Sequence, residues 1–192
     1  MRIVYTASER FSPENGEAWD RYVAGSGLKH LKEVVSLDAM LCPSALTEII
    51  DADWNYSSGP VSYFGYTPSL DYLLTRFTKS PKNQVLAVVE NPSGTEDFDD
   101  ERFEFIGYDL IDETPISALT NCGGFENAFR PDDLSEYGLV SDYDGAVRIK
   151  LLLERNYPDE PHASCSIWKI WRMRSNEADE PKVSQAAGLP SA

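Results

Sequence analysis

Four stretches of the chain have the hydrophobic pattern of β-strands. Apolar and polar residues alternate over Met1–Thr6, Phe103–Ile111 and Ser164–Met173, which predicts strands with two chemically different faces. The run Val85–Val89 is apolar throughout, as expected for a central strand buried on both faces. Because the turn signal Asn91–Gly94 follows this run, we expect it to pair antiparallel with the strand over 103–111.

Four segments repeat apolar residues at the three- and four-residue spacing of amphipathic helices. They are Glu14–Ala24, Cys42–Ile50, a helix that starts at Thr67 and ends before Lys79, and Asp144–Asn156. Thr67 is the expected N-cap of the third helix, and Asp142 or Asp144 that of the fourth. Leu28–Leu37 fits either a helix or a short strand.

The order of these elements predicts an α+β fold, with an antiparallel sheet of about four or five strands and helices packed on one face. Alternation in the later strands favours a second face that is open to water. Within residues 103–111 it places Phe105 and Asp109 on one face and Tyr108 on the other. One domain is expected over 1–174, and a flexible polar tail over 175–192.

The charge balance narrows the choice of partners. Of 192 residues, 32 are Asp or Glu and 17 are Lys or Arg, so the net charge is −15. This charge repels nucleic-acid phosphates and anionic membranes and favours a basic protein partner; the alternative is that it serves solubility alone. The three sparse cysteines and the lack of a long apolar stretch predict a cytoplasmic protein with no membrane segment.

The acidic charge is densest between Asn91 and Glu113, where nine acidic residues stand against Arg102 alone. A basic partner could dock here, with an aromatic side chain as an apolar anchor and help from the aromatic-rich residues 51–66. The predicted partner-binding residues are Glu96, Asp97, Phe98, Asp99, Asp100 and Glu101, together with Trp54 and Tyr56. The alternatives are a solvated loop that protects a sheet edge and an aromatic lid over the core.

Candidate chemistry is sparse. Cys122 precedes two glycines, and His162 could activate its thiol with help from Asp159 or Glu160. His162 and Cys165 also have a spacing found in zinc sites, and Cys122 and Cys42 could complete four ligands, but a structural zinc site needs a second closely spaced pair. Buried core cysteines are the plainer interpretation, so we expect no catalytic residue, no metal and no cofactor.

No P-loop, dinucleotide-binding or hydrolase motif is present. In composition alone, small, acidic and rich in aromatic residues, the chain resembles bacterial immunity and inhibitor proteins that cap a basic toxin or nuclease. We therefore predict a non-enzymatic acidic module that binds a basic protein. The alternatives are a thiol-dependent hydrolase or transferase that uses Cys122 and His162, and a nucleic-acid mimic that blocks a DNA-binding protein.

Overall fold

An antiparallel sheet organises the part of the chain that the computed structural model describes, namely residues 2–44, 46, 65–77, 82–120 and 125–174. Its four strands have the spatial order β1-β2-β4-β3. They are β1 (Val4–Glu9), β2 (Asn83–Glu90), β3 (Phe103–Ile111) and β4 (Ser166–Met173). The helices within these residues are α1 (Glu17–Ser26), α2 (Leu70–Arg76) and α3 (Tyr143–Asn156).

Two helices pack on the same face of the sheet, as predicted. Leu70 and Leu73 of α2 join a cluster with Val85, Ala87 and Trp171. Ala146, Ile149 and Leu153 of α3 join another cluster with Leu110 and Ile167. Alternation along the paired strands puts all of these strand residues on one side, which we call the helix face.

The prediction that the second face is open to water is wrong. Leu86, Val88 and Ile170 are fully buried there beneath Val35 and Leu139, which belong to chain segments without regular secondary structure. Asp109 of β3 and Thr6 and Ser8 of β1 are polar, yet they are buried on this face and hydrogen-bonded. Polarity in a strand therefore did not indicate contact with water.

The predicted pairing of β2 with β3 is also wrong, because β4 lies between them and pairs antiparallel with both. Five consecutive residues of β4, Ile167–Trp171, are buried, which suits a central strand that is covered on both faces. The connection over residues 91–102 is long enough for β2 and β3 to lie two strand positions apart.

A β-bulge at Ile106 and Gly107 reverses the predicted faces of the second half of β3. Phe105 pairs with Trp171 and Gly107 with the next residue, Ile170, so Ile106 is the extra residue. The alternation therefore shifts by one, and Asp109 moves to the face opposite Phe105. Gly107 has φ 142°, and a Cβ atom there would lie 2.7 Å from Cβ of Leu139. Only glycine fits such a position.

The bulge gives Asp109 a fully buried position. Its carboxylate accepts hydrogen bonds from the hydroxyls of Ser36 at 2.5 Å and Ser117 at 2.6 Å. The backbone N–H groups of Leu37 and Leu110 donate to it as well. Burial raises the pKa of Asp109 even though these donors oppose the shift.

The helix ends follow local capping chemistry. Asp142 caps α3 as predicted, since its Oδ1 accepts from the N–H of Gly145 at 2.8 Å. The N-cap of α2 is Ser69 and not Thr67, because Thr67 exchanges backbone hydrogen bonds with Tyr5 at the sheet edge. α1 begins three residues later than predicted, after a 3-10 turn over Pro13–Asn15.

Residues 28–37 form neither a helix nor a strand, apart from one bridge between Val34 and Phe11. The helix predicted over 42–50 lies largely outside the described residues, and the tail predicted over 175–192 lies wholly outside them. Among the helices that are described, none is long and apolar enough to cross a membrane.

Candidate functional site

The acidic segment, residues 91–102, connects β2 to β3 and lies against the helix face of the sheet. Exposure alternates along its centre: Asp97, Asp99 and Glu101 are exposed, whereas Glu96, Phe98 and Asp100 are partly buried. The partly buried residues attach the segment to the fold through three different kinds of contact.

The segment begins with a hydrogen-bonded turn closed by Glu96. One carboxylate oxygen of Glu96 accepts from the N–H and the hydroxyl of Ser93, and the other accepts from the N–H of Gly94 at 3.0 Å. Desolvation opposes ionisation of Glu96, but these donors together outweigh it and lower its pKa to about 2. Gly94 packs so closely that a Cβ atom would lie 2.6 Å from the ring of Tyr143 in α3.

Lys169 of β4 contacts the segment from the helix face of the sheet. Its ammonium donates to the backbone carbonyl of Glu96 at 2.5 Å. The same ammonium lies 5.0 Å from the ring centroid of Trp171, 5.4 Å from that of Phe105 and 5.9 Å from that of Tyr108. Lys169 is 8% exposed, and this aromatic cage supplies the cation–π attraction that a desolvated ammonium needs.

Phe98 attaches the middle of the segment. Its ring meets those of Phe103 and Trp171 edge-on, with centroids 5.2 Å and 5.4 Å away, and that of Tyr5 at 6.4 Å. Edge-to-face packing at these distances is favourable because positive ring edges approach negative ring faces. In the structure the ring of Phe98 packs against its own sheet, and its role as an apolar anchor for a partner stays a prediction.

The segment ends at an ion pair. Nε and Nη2 of Arg102 donate to the carboxylate of Asp100, with Nη2 at 2.7 Å, and the backbone N–H of Arg102 also donates to it. The hydrogen bonds from Arg102 lower the pKa of Asp100. Both charges are exposed enough for water to screen the pair, so its main effect is to fix the turn into β3.

Three predicted partner-binding residues remain directed at solvent. Asp97, Asp99 and Glu101 form no ion pair with any residue in the described part of the chain. They alternate with Glu96, Phe98 and Asp100, whose contacts fix the position of the backbone. The charges of the three exposed residues are therefore not used to attach the segment. Trp54 and Tyr56 lie outside the described residues.

In the structure His162 lies beside Asp112, a partner that the sequence did not indicate. Nδ1 of His162 lies 3.0 Å from Oδ2 of Asp112, and the two side chains are 7% and 1% exposed. Oδ1 of Asp112 accepts from the N–H and the hydroxyl of Thr114, each at 2.8 Å. Asp159 and Glu160, the predicted helpers of His162, are exposed, and Cys122 lies outside the described residues.

Cys165 is a core residue. It is 1% exposed, and burial raises the pKa of its thiol to about 11. A thiol in this state is a poor nucleophile and a poor metal ligand at neutral pH, because both roles require the thiolate. Among the described residues, no group of three or more His, Cys, Asp or Glu side chains is arranged to hold a metal ion.

Sequence reasoning missed Lys169 and Asp112. A lone lysine in the aromatic-rich stretch Trp168–Trp171 was a usable signal, because a cation between such residues commonly lies on their rings. Asp112 gave no signal, since its partner His162 is 50 positions away. Comparison of the chain with protein-family models, curated proteins and solved structures gave no match.

Proposed function

We propose that the protein is a non-enzymatic binding module whose acidic segment docks a basic protein, in the manner of immunity or inhibitor proteins. The observation that carries this proposal is the row Asp97, Asp99 and Glu101, held outward by the three attached residues between them. The net charge of −15 adds a long-range field that attracts a basic partner.

Attachment of the segment matters because binding has to overcome the entropy of ordering flexible groups, about 0.5–1.5 kcal/mol per side chain. The Glu96 turn, the Lys169 contact and the Phe98 cluster order the backbone before a partner arrives. Exposed carboxylates on such a backbone lose only their own side-chain freedom when they meet lysine or arginine, because the backbone beneath them is already ordered. A basic partner would therefore recognise a position on the surface as well as overall charge.

The test compares two triple variants that raise the net charge by the same amount. The segment variant carries Asp97→Asn, Asp99→Asn and Glu101→Gln. The control carries Asp132→Asn, Asp159→Asn and Glu160→Gln, at acids that are also exposed but lie outside the segment. Binding of lysozyme and cytochrome c, two small basic probe proteins, is measured by titration calorimetry at low and moderate salt.

Exposed charge pairs contribute about 0.2–1 kcal/mol each, so three pairs amount to about 1.5 kcal/mol. The segment variant is expected to weaken probe binding roughly tenfold, and the control by about twofold or less. Equal weakening by both variants would show that only overall charge acts and would contradict a docking site in the segment.

The Asp112–His162 pair favours one second candidate, a thiol-dependent hydrolase or transferase. An imidazole that lies beside a carboxylate, here with Nδ1 and Oδ2 3.0 Å apart, can activate a cysteine nucleophile, and Cys122 is the cysteine that the sequence offers for it. Under this proposal iodoacetamide modifies Cys122 quickly at pH 7, and His162→Ala slows the reaction. A Cys122 that reacts only after unfolding would exclude this candidate.

A further inference from the structure

A cavity of about 520 Å³ lies where β2 and β4 separate. The two strands pair only from Leu86 and Arg172 onwards, although β2 begins at Asn83. Asn83, Gln84 and Val85 therefore pair with β1 alone. The fork between the strands opens a space of the size that small ligands occupy in proteins.

Gln84 lines this cavity, and its amide is buried. The residue is 7% exposed, and its Nε2 and Oε1 atoms make no hydrogen bond with any described residue. An unpaired buried amide destabilises a fold by about 1–3 kcal/mol for each polar group. A ligand that pairs with the amide would remove this penalty, so Gln84 is the feature of the cavity that most directly indicates a ligand.

The lining of the cavity is locally cationic in a strongly acidic protein. Its described residues include four that are cationic and two that are acidic, whereas the chain as a whole has nearly two acids for each base. The acids are already engaged: Glu33 binds Arg10 at 2.9 Å and Arg172 at 3.2 Å, and Glu104 binds Arg172 at 3.1 Å. Arg174 forms no ion pair within the described chain and can take an anion.

The opposite wall is apolar. Leu74 and Phe77 of the α2 region and Met173 of β4 line it, and Phe77 and Met173 pack in the cluster on the helix face of the sheet. The guanidinium of Arg172 stacks 4.6 Å above the ring of Tyr137, which fixes the cationic wall in place. The cavity therefore has one charged wall and one hydrophobic wall, with the Gln84 amide between them.

We propose that this cavity binds a small organic anion with an apolar body, a carboxylate or a phosphate monoester. The head group accepts hydrogen bonds from Arg174 and from the amide N–H of Gln84, and the body lies against Phe77 and Met173. Neutral and cationic molecules of the same shape lack the head group and are excluded. This site is separate from the acidic segment and does not depend on the docking function.

Calorimetry on the full chain tests the proposal with four one-ring probes: benzoate, phenyl phosphate, benzyl alcohol and benzylamine. Saturable one-site binding is expected for one or both anions, and which of them binds tells a carboxylate site from a phosphate site. No saturable binding of either anion up to millimolar concentration would overturn the proposal. Equal binding of benzyl alcohol would overturn the assignment of an anion site.

Variants locate the binding. Gln84→Met and Arg174→Gln are each expected to raise the dissociation constant roughly tenfold, about the worth of one hydrogen bond to a charged group. Arg155→Gln, the same change at an exposed arginine of α3, is expected to leave it within about twofold. Unchanged affinity in both cavity variants would overturn the proposed site.

Gln84→Met also separates a binding role from a structural one. Methionine has a similar volume and removes the two unpaired polar atoms, so the urea midpoint should stay the same or rise while anion affinity falls. A lower midpoint with unchanged affinity would assign Gln84 to the fold and contradict the proposal.

Discussion

Replacing Phe98 with alanine separates the two roles that an aromatic residue in an acidic segment could have. If the ring anchors the segment to the sheet, Phe98→Ala destabilises the fold and loosens the segment without changing any charge. A fully buried Phe→Ala change costs about 3–5 kcal/mol, and each edge-to-face pair contributes about 0.5–1.5 kcal/mol. Because Phe98 is half-buried and has two such close pairs, we expect a loss of about 2 kcal/mol.

Urea denaturation followed by tryptophan fluorescence measures this loss, and Trp171 lies against the substituted ring. With a slope of about 2 kcal/mol/M, the midpoint should fall by about 1 M. Leu151→Ala is a suitable control, since Leu151 is 57% exposed on α3, and its midpoint should hardly change.

The same variant should weaken lysozyme binding about fivefold, because about 1 kcal/mol of ordering is then lost on binding. A variant of unchanged stability that no longer binds would show that Phe98 contacts the partner directly, which would refute the anchoring role. A destabilised variant that binds as tightly as the parent protein would show that order in the segment is irrelevant to docking.

Three further substitutions and one thiol reaction test other parts of the account. Gly107→Ala should lower the free energy of unfolding by about 3 kcal/mol through strain at positive φ and the clash with Leu139, whereas Gly25→Ala, in open space on α1, should raise it by up to ~1 kcal/mol in the same urea titration. Glu96 has a folded pKa of about 2 against a usual 4.5, so its contribution to stability is present above pH 4.5 and disappears as the pH falls towards 2. The urea midpoints of the parent protein and of Glu96→Gln should therefore converge over that range. A constant difference between them would contradict the hydrogen bonds that close the Glu96 turn. Cys165, with its pKa near 11, should react with iodoacetamide at pH 7 more than ~100-fold more slowly in the folded protein than in urea, as measured by mass spectrometry, and rapid labelling of the folded protein would show that the thiol is not buried.

The sequence predicted the elements of the fold better than their arrangement. Periodicity located the strands and α3 because each depends on local spacing of apolar residues. It did not predict that β4 would separate β2 from β3, since strand order depends on which strand has two faces to bury. One extra residue at Ile106 was enough to reverse the faces of the rest of β3, and the alternation of residues 103–111 did not predict it.

The acidic segment was predictable as a charge run, but its construction was not. Alternation of exposed and attached residues from Glu96 to Glu101 depends on Lys169 and on the aromatic cluster, which approach from strands far away in the sequence. The cavity at the fork of β2 and β4 was not predictable either. It results from the point at which two strands stop pairing, and a lone Gln84 in an apolar strand gave no indication of that point.

Hydrogen–deuterium exchange with bound lysozyme is the most direct test of the docking surface. Peptides that cover residues 93–102 should exchange more slowly in the complex than in the free protein, and the segment variant with Asp97, Asp99 and Glu101 neutralised should lose this protection. Protection confined to another surface, or spread evenly over the acidic exterior, would contradict the account that the attached acidic segment is the binding site.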